Sequence, residues 1–382
     1  HTVAIIGGGP AGLTAALEAA RRGQVGILFE SLPQFGGLAR TERYRGYHFD
    51  IGGHRFFTKV PAVEELWNEV LGSDFLERDR LSRVFLEGQY YRYPIEPWEV
   101  MRKLGVGESI LCAASYVRSH LAPRSPVRSV EDWLINHFGQ RLYAKFFQTY
   151  TEKVWGIPCA EISADWAAQR IKGLSVLSIL KDAFGLKRRN GAKSLIRSFQ
   201  YPRLGPGMMW ERAATLVAGA GFELRTNATV TELHWEPGRV TAAVVNGQRV
   251  EAEHFLSSMP IRDLIAALRP RVPELDAVAG HFRYRDFLTV ALMAREPNPF
   301  PDNWIYVHDP EVRVGRIQNF NNWSPEMSPD PGVTCLVACA PMTFGKTGLE
   351  YFCSEGDDLW ERSDAELMEL ARKEIGLLGL AD

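Results

Sequence analysis

Hydrophobic and polar positions divide the chain into three regimes. Thr2 to Ile6 is a short apolar run, Gly7-Gly8-Gly9-Pro10-Ala11-Gly12 follows it, and Leu13 to Arg22 is rich in the strong helix formers Ala and Leu. After Gly23 a second apolar run, Val25 to Phe29, closes on Glu30. Strand, glycine turn, helix, strand is one βαβ unit of the expected size. From residue 60 to 200 the spacing is mainly helical. Pro61 opens one helix, in the first turn where its missing N–H costs nothing. Val130 to Thr151 places Trp133, Leu134, Phe138, Leu142, Phe146 and Phe147 at three- and four-residue steps. Beyond Tyr201 strand-like runs return at 222–225, 228–233, 239–245 and 249–255, then at 288–292 and 304–307. Asn246-Gly247 between two of them predicts a hairpin. A last helix is expected from Ser363 to Leu378.

This order predicts a mixed α/β protein: a Rossmann-like nucleotide-binding domain interrupted by a helical insert, with a second, mainly β substrate domain. The expected boundaries are 1–60 and 201–262 for the two parts of the nucleotide domain, 61–200 for the helical cap, and 263–382 for further strands and the C-terminal helix.

Composition narrows the class. Of 382 residues, 46% are hydrophobic and 24% charged, which excludes a disordered or collagen-like chain. Lys plus Arg is 44 against Asp plus Glu 46, so the net charge of −2 gives no long-range pull toward nucleic acid or anionic lipid. No apolar run approaches the ~18 residues of a transmembrane span. The 5 Cys are odd in number and scattered, which argues against a disulfide framework and for a reducing compartment, read as the cytoplasm. Cys335 and Cys339 lack a second ligand pair, so no metal site is expected. The basic stretch from Lys181 to Arg203 is read as a solvated face.

Gly7, Gly9 and Gly12 fit G-x-G-x-x-G. The first permits the tight turn, the second lets the backbone approach a pyrophosphate, and the third allows close helix–strand packing. Pro10 and Ala11 lie in the same turn, before the helix whose N-terminus favours an anion. Glu30 stands where an acid accepts protons from ribose hydroxyls. Gly36-Gly37-Leu38-Ala39-Arg40-Thr41 follows within ten residues, and Gly46-Tyr47-His48-Phe49-Asp50-Ile51-Gly52-Gly53-His54 soon after.

On these two segments the chain resembles the flavin-containing amine oxidase superfamily, which includes protoporphyrinogen oxidases and UDP-galactopyranose mutases. The resemblance implies FAD as cofactor. It implies that Arg40 contacts the FAD diphosphate and that Gly52, Gly53 and His54 run beside the flavin ring, where His54 is the candidate for proton transfer. It also places the backbone of Val230 at the adenine and returns Ser258 to the cofactor. Tyr201-Pro202-Arg203-Leu204-Gly205-Pro206-Gly207 matches the family's entry into its second flavin segment. The bland alternative for Arg40 is a surface charge.

Gly139 to Gly156 resembles a mutase segment that reads roughly G-x-x-L-Y-x-x-F-F-x-x-Y-T-x-K-x-W-G, and Gly315-Arg316-Ile317 with Asn322-Trp323-Ser324-Pro325 resembles a second one. The implied substrate-binding residues are Tyr150, Lys153, Trp155, Arg170, Arg316 and Asn322, with the two arginines on a diphosphate. The alternative is that the aromatics pack helices and the arginines make ion pairs. The family's closing glycine–Arg or glycine–Asp segment has no counterpart here, and the expectation is that the chain is incomplete.

Three functions follow from the resemblance. The first is a flavoenzyme acting on a nucleotide sugar, contracting its ring through reduced flavin N5. The second is an oxidase or dehydrogenase of protoporphyrinogen-oxidase or amine-oxidase type, moving hydride from substrate to FAD. The third is an inert flavin-binding scaffold. The expected partner is a small molecule, with a homo-oligomer allowed. Trp98, Val100, Met101, Leu104, Ile110 and Leu111 also permit an amphipathic face that could touch a membrane, and core packing is the cheaper explanation.

Overall fold

Val3–Ile6 is buried along its whole length because it is a central strand with a parallel neighbour on each side: Gly26–Phe29 and His254–Ser257. Glu223–Arg225 adds to the far edge of Gly26–Phe29, so four parallel strands form one sheet. These contacts belong to a computed structural model that describes residues 2–170, 197–295, 299–338, 351–354 and 356–380. The chain is a mixed α/β protein and divides into two units. The first takes in residues 1–78, 200–284 and 324–329, and the second residues 79–199, 285–323 and 330–382.

In the first unit the helices Pro10–Arg21 and Gly207–Gly219 cover one face of the parallel sheet. Leu13, Ala16 and Leu17 from one and Met209, Ala213 and Val217 from the other close over Val3, Ile5 and Leu28. The other face packs on a second sheet, Val230–Glu236 with Arg239–Val245 and Gln248–Glu251, through Leu233, Ala243 and Val245. Asn246 and Gly247 both have positive φ, 47° and 79°, and form the expected hairpin turn. The run expected as one strand from Arg249 to Phe255 is two. Gln248–Glu251 finishes the hairpin, and His254–Ser257 crosses to the parallel sheet.

The second unit is built on a six-stranded sheet in the order Val290–Ala294, Thr334–Ala338, Arg316–Asn319, Trp304–Val307, Ser82–Leu86, Gln89–Arg92. Its last two strands lie in the stretch expected to be mainly helical. Trp304–Val307 pairs in parallel with Ser82–Leu86, and Arg83 meets the buried Asp302 through Nε–H···O bonds of 2.9 Å. Helix Asp364–Leu377 starts at Ser363, whose hydroxyl and the Glu366 carboxylate form a capping box, and buries Ala371 and Ile375 with Ile305, Val314 and Ile317. The helical pattern of 130–151 is broken at Gly139, whose φ of +83° ends Val130–Phe138. A Cβ there would lie 2.8 Å from the Tyr116 backbone, so only glycine admits the neighbouring helix Pro97–Leu121.

Among the described residues no helix is long and apolar enough to cross a membrane. Cys339 and most of the basic stretch 181–203 lie outside the described residues.

Candidate cofactor and substrate sites

In the first unit the two glycine turns lie backbone against backbone. Gly36 N–H donates to the Gly8 carbonyl at 2.9 Å, and a Cβ on Gly37 would come within 3.0 Å of the Gly9 Cα. A Cβ on Gly12 would sit 1.9 Å from the Gly7 carbonyl oxygen, and one on Gly7 2.2 Å from Ser258 Oγ. Helix Pro10–Arg21 starts from Gly9 with no side-chain cap and no acid in its first turn. Its first N–H groups, those of Ala11 and Gly12, therefore carry the positive end of the helix with no side-chain oxygen set against them.

Glu30 is buried beside this turn. Its Oε2 accepts the Gly8 N–H at 2.7 Å, and its Oε1 accepts the Leu32 N–H at 2.8 Å and the Ser31 hydroxyl at 3.2 Å. A carboxylate offers roughly four acceptor positions, so one remains for a ribose hydroxyl. The Ala228 N–H donates to the Glu30 carbonyl at 2.8 Å and the Asn227 N–H to the Leu32 carbonyl at 3.0 Å, which leads the chain past Glu30 into Val230. Ser258 closes the other side, its N–H and hydroxyl both donating to the Ile6 carbonyl. Gly7, Gly9, Pro10, Ala11, Gly12, Glu30, Gly36, Gly37, Val230 and Ser258 thus surround one edge of the parallel sheet. An uncapped helix end, glycines that leave the backbone bare, and an acid with acceptor capacity left fit the diphosphate and ribose of a dinucleotide.

Arg40 is buried rather than a surface charge. Its Nε donates to Glu42 at 2.6 Å and its Nη1 to the Gly37 carbonyl at 2.9 Å. Glu42 was not foreseen from the motif. The guanidinium braces the second glycine turn, with Leu38 exposed and Ala39 half-buried in the 3-10 turn Gly37–Ala39. Gly52 has a φ of +97°, and His54 Nδ1 lies 2.9 Å from its carbonyl. A carbonyl only accepts, so Nδ1 carries the proton in this contact. Gly53 lies between them, half-buried like His54.

Two residues before Gly52, Asp50 is fully buried. It accepts hydrogen bonds from the Thr41 hydroxyl, at 3.0 Å, and from the Tyr201 hydroxyl. Burial outweighs these donors and lifts its pKa to about 8. Thr41 Oγ1 also accepts the Gly207 N–H at 2.9 Å, which ties the strand Thr41–Tyr44 to the start of helix Gly207–Gly219.

In the second unit, helix Thr149–Trp155 lays Tyr150 flat on His308, with ring centroids 4.6 Å apart and 13° between planes. Tyr150 also meets Tyr306 edge-on at 5.6 Å. Tyr306 is the register partner of Arg316 on the next strand, and its other neighbour Tyr93, at 5.2 Å, lies under the Arg80 guanidinium. Tyr150, Tyr306 and Arg316 are brought together, and Tyr306, His308 and Arg80 are members of the group that the motifs did not reveal. Burial pushes His308 down to about 3, so it stays neutral near pH 7.

Lys153 is placed differently from the expectation. Its ammonium donates to the carbonyls of Val307, Asp309, Val312 and Val314 at 2.6–3.2 Å. Three protons shared among four carbonyls make it a clamp on the 308–315 loop rather than a group presented to a ligand. Asn322 likewise spends its amide N–H groups on the carbonyls of Phe300 and Asp302. Trp155 packs edge-on against Trp166 at 5.3 Å. Arg170 ends helix Ala164–Arg170, and its side chain lies outside what the structure describes.

Comparison with known proteins places this architecture. The family model of flavin containing amine oxidoreductases matches residues 10–378. A curated relative, AofH of Mycobacterium tuberculosis, classed provisionally as a flavin-containing monoamine oxidase, is 25% identical over 295 residues, or 73% of this chain. The matched region spans 62% of that relative's length. Among solved structures, reduced UDP-galactopyranose mutase superposes with a TM-score of 0.81 at 20% identity, covering 99% of this chain and 78% of that one. A protein from Exiguobacterium classed provisionally as a protoporphyrinogen oxidase gives 0.73 at 16% identity, covering 100% and 84%. The match to the family model covers nearly the whole sequence, and the glycine cradle beside Glu30 fits the dinucleotide cofactor of that family: the chain belongs to the flavin containing amine oxidoreductase family, and its cofactor is FAD.

Proposed function

We propose that the enzyme acts on a nucleotide sugar, rearranging the sugar ring as a UDP-galactopyranose mutase does. One observation carries the reading: Arg316 is register-paired with Tyr306, whose ring meets Tyr150, so an anion-binding side chain and an aromatic surface share one strand pair. A nucleoside diphosphate needs those two features, a face for base stacking and a guanidinium fork for phosphate. Arg170, about 15 residues beyond Trp155 of the mutase-like segment, is the second diphosphate ligand in this reading. The neutral His308 under Tyr150 stiffens the aromatic surface without adding charge. Bound FAD supplies the redox-active, nucleophilic ring chemistry. The chain's part is to hold the diphosphate at the Ala11 and Gly12 amides, the ribose at Glu30, and the second glycine turn by Arg40. His54, with its proton on Nδ1, is the candidate for proton exchange beside the flavin.

A second reading is an amine or porphyrinogen oxidase, favoured by the curated relative's assignment as a monoamine oxidase. Titrating UDP into the reduced holoenzyme and following flavin fluorescence separates the two. Saturation in the micromolar to millimolar range supports the nucleotide sugar. The absence of any saturable response to nucleoside diphosphates, in protein that holds FAD, transfers the assignment to the oxidase.

A further inference from the structure

In the first unit, strand Arg239–Val245 ends where its hairpin begins. Val245 is paired with Val230 on one side and with Gln248 on the other, and at Asn246 and Gly247 the chain turns away into Gln248–Glu251. The backbone of residues 227–229, just before Val230, is therefore left without a strand to continue the ladder. The Asn246 side chain takes the place of that strand. Its backbone N–H donates to the Thr229 carbonyl at 3.0 Å, its Oδ1 accepts the Thr229 N–H at 3.0 Å, and its Nδ2 donates to the Asn227 carbonyl at 2.8 Å. A carboxamide carries the donor and acceptor of a peptide group, and here it stands in for the peptide that the turn removes. The same contacts fix the orientation of the amide, since a flipped group would set N–H against N–H and oxygen against carbonyl.

The segment held in this way passes the cofactor cradle. On its other side the Ala228 N–H donates to the Glu30 carbonyl at 2.8 Å and the Asn227 N–H to the Leu32 carbonyl at 3.0 Å. Ala228, Val230 and Glu30 are buried, whereas Asn227, Thr229 and Asn246 are exposed. The 227–229 backbone thus bridges Asn246 and the acid that has acceptor capacity left for a ribose hydroxyl. The base of a nucleoside is bonded directly to its ribose, so the backbone attached to Glu30 is a wall beside that nucleoside. Whatever fixes this backbone fixes the wall.

We propose that Asn246 is a positioning residue for the cofactor: its carboxamide holds residues 227–229 against Glu30 and so sets the wall on which the adenosine half of FAD rests. The role rests on the placement of the ribose at Glu30. It gives Asn246 two tasks. Asparagine, aspartate and glycine all suit the turn, where φ at Asn246 is 47°, but only asparagine supplies the carboxamide.

Two substitutions separate the tasks. Asn246→Gly keeps the turn and removes both side-chain bonds. Asn246→Asp keeps the turn and an acceptor for Thr229, and sets a carboxylate oxygen against the Asn227 carbonyl. In each variant FAD should leave the holoenzyme about tenfold faster, followed as the rise in flavin fluorescence on dilution. ADP, the adenosine end of the cofactor, should bind the FAD-stripped chain about tenfold more weakly. Tenfold is the equivalent of ~1.4 kcal/mol, within the range that two neutral hydrogen bonds contribute. Amide hydrogen exchange locates the effect: the Ala228 and Thr229 N–H groups should exchange faster in both variants, and those of Leu233 and Ala243 should not change. Unaltered FAD release and ADP affinity in the two variants overturn the proposal and leave Asn246 a turn residue. Exchange that quickens equally at Leu233 and Ala243 also overturns it, because the loss is then one of general stability. Glu30→Gln distinguishes these failures from failure of the ribose placement. It should weaken ADP binding, and if it does not, the ribose is not at Glu30 and the role of Asn246 falls with it.

Discussion

Lys153 and Glu374 grip the same loop through opposite ends of its peptide groups. The lysine collects four carbonyls between Val307 and Val314, and the carboxylate of Glu374, from helix Asp364–Leu377, accepts the N–H groups of Arg313 at 2.6 Å and Val314 at 3.0 Å. Both charged side chains are shielded from water and neither touches the other in this arrangement. Between them they fix the turn that joins Trp304–Val307, with Tyr306, to Arg316–Asn319.

Lys153→Met should therefore destabilise the protein by about 2–4 kcal/mol, since a charge-assisted hydrogen bond contributes ~1.5–3 kcal/mol and the released carbonyls remain buried. Glu374→Ala should cost a similar amount. Once either grip is lost the loop is free to move, so the double variant should fall short of the summed effect by about 1 kcal/mol or more. Urea unfolding of the four proteins measures this, and strict additivity would refute a shared loop.

Gly9→Ala and Gly12→Ala should fail for different reasons. A Cβ at Gly9 has 3.5 Å to its nearest neighbour, the Gly37 Cα, so the protein alone accommodates it. A Cβ at Gly12 collides with the Gly7 carbonyl. The melting temperature of apoprotein should be unchanged in Gly9→Ala and lowered in Gly12→Ala. FAD affinity should fall in both, which a fluorescence titration reads directly.

Asp50 makes stability depend on pH in an unusual direction. Its folded-state pKa of about 8 lies above the ordinary value of 3.8, so the folded form binds the proton more tightly than the unfolded chain. That contribution is complete below the unfolded pKa and is lost as pH rises through about 8. Asp50→Asn, which keeps an acceptor for Thr41 and never ionises, should flatten the decline in melting temperature between about pH 4 and 8, the interval between the two pKa values. An unchanged slope in this variant would place the titrating group elsewhere.

Arg316→Ala and Arg170→Ala should each weaken UDP binding by roughly ten- to a hundredfold, the equivalent of ~1.5–3 kcal/mol, while FAD remains bound. Arg316→Lys keeps the charge without the fork and should fall between the parent and the alanine variant. Loss of FAD along with UDP would contradict the assignment.

The glycine turn and its strand–helix–strand setting were legible in the sequence because their information is local. Gly7, Gly9, Gly12 and Glu30 sit at fixed offsets within one βαβ unit, and Asn246-Gly247 announces its own turn. The second unit was less legible because its sheet joins strands from distant parts of the chain, such as Ser82–Leu86 and Trp304–Val307. No local pattern sets Arg83 beside Asp302, 219 positions away. Lys153 shows the other limit. Its place in a motif is visible, but whether its protons meet a ligand or a loop depends on Val312 and Val314, far along the chain. His308 and Glu374 gave no motif at all, since each acts through burial that only packing creates.

The parallel sheet of the first unit also has a history in time. Its inner pair, Val3–Ile6 and Gly26–Phe29, leaves the ribosome first, and the strands that close its two edges, Glu223–Arg225 and His254–Ser257, follow roughly 200 residues later. At ~5–20 residues per second that interval is on the order of 10–40 s. Throughout it, the nascent chain carries two apolar strands with open edges and a glycine turn that has neither Ser258 nor the Asn227–Val230 segment beside it. Synthesis of the second unit's helices and first strands takes place in the meantime. Chaperone demand should accordingly begin in that window, and ribosome-bound chains arrested before residue 222 should aggregate on release more than the 382-residue chain does.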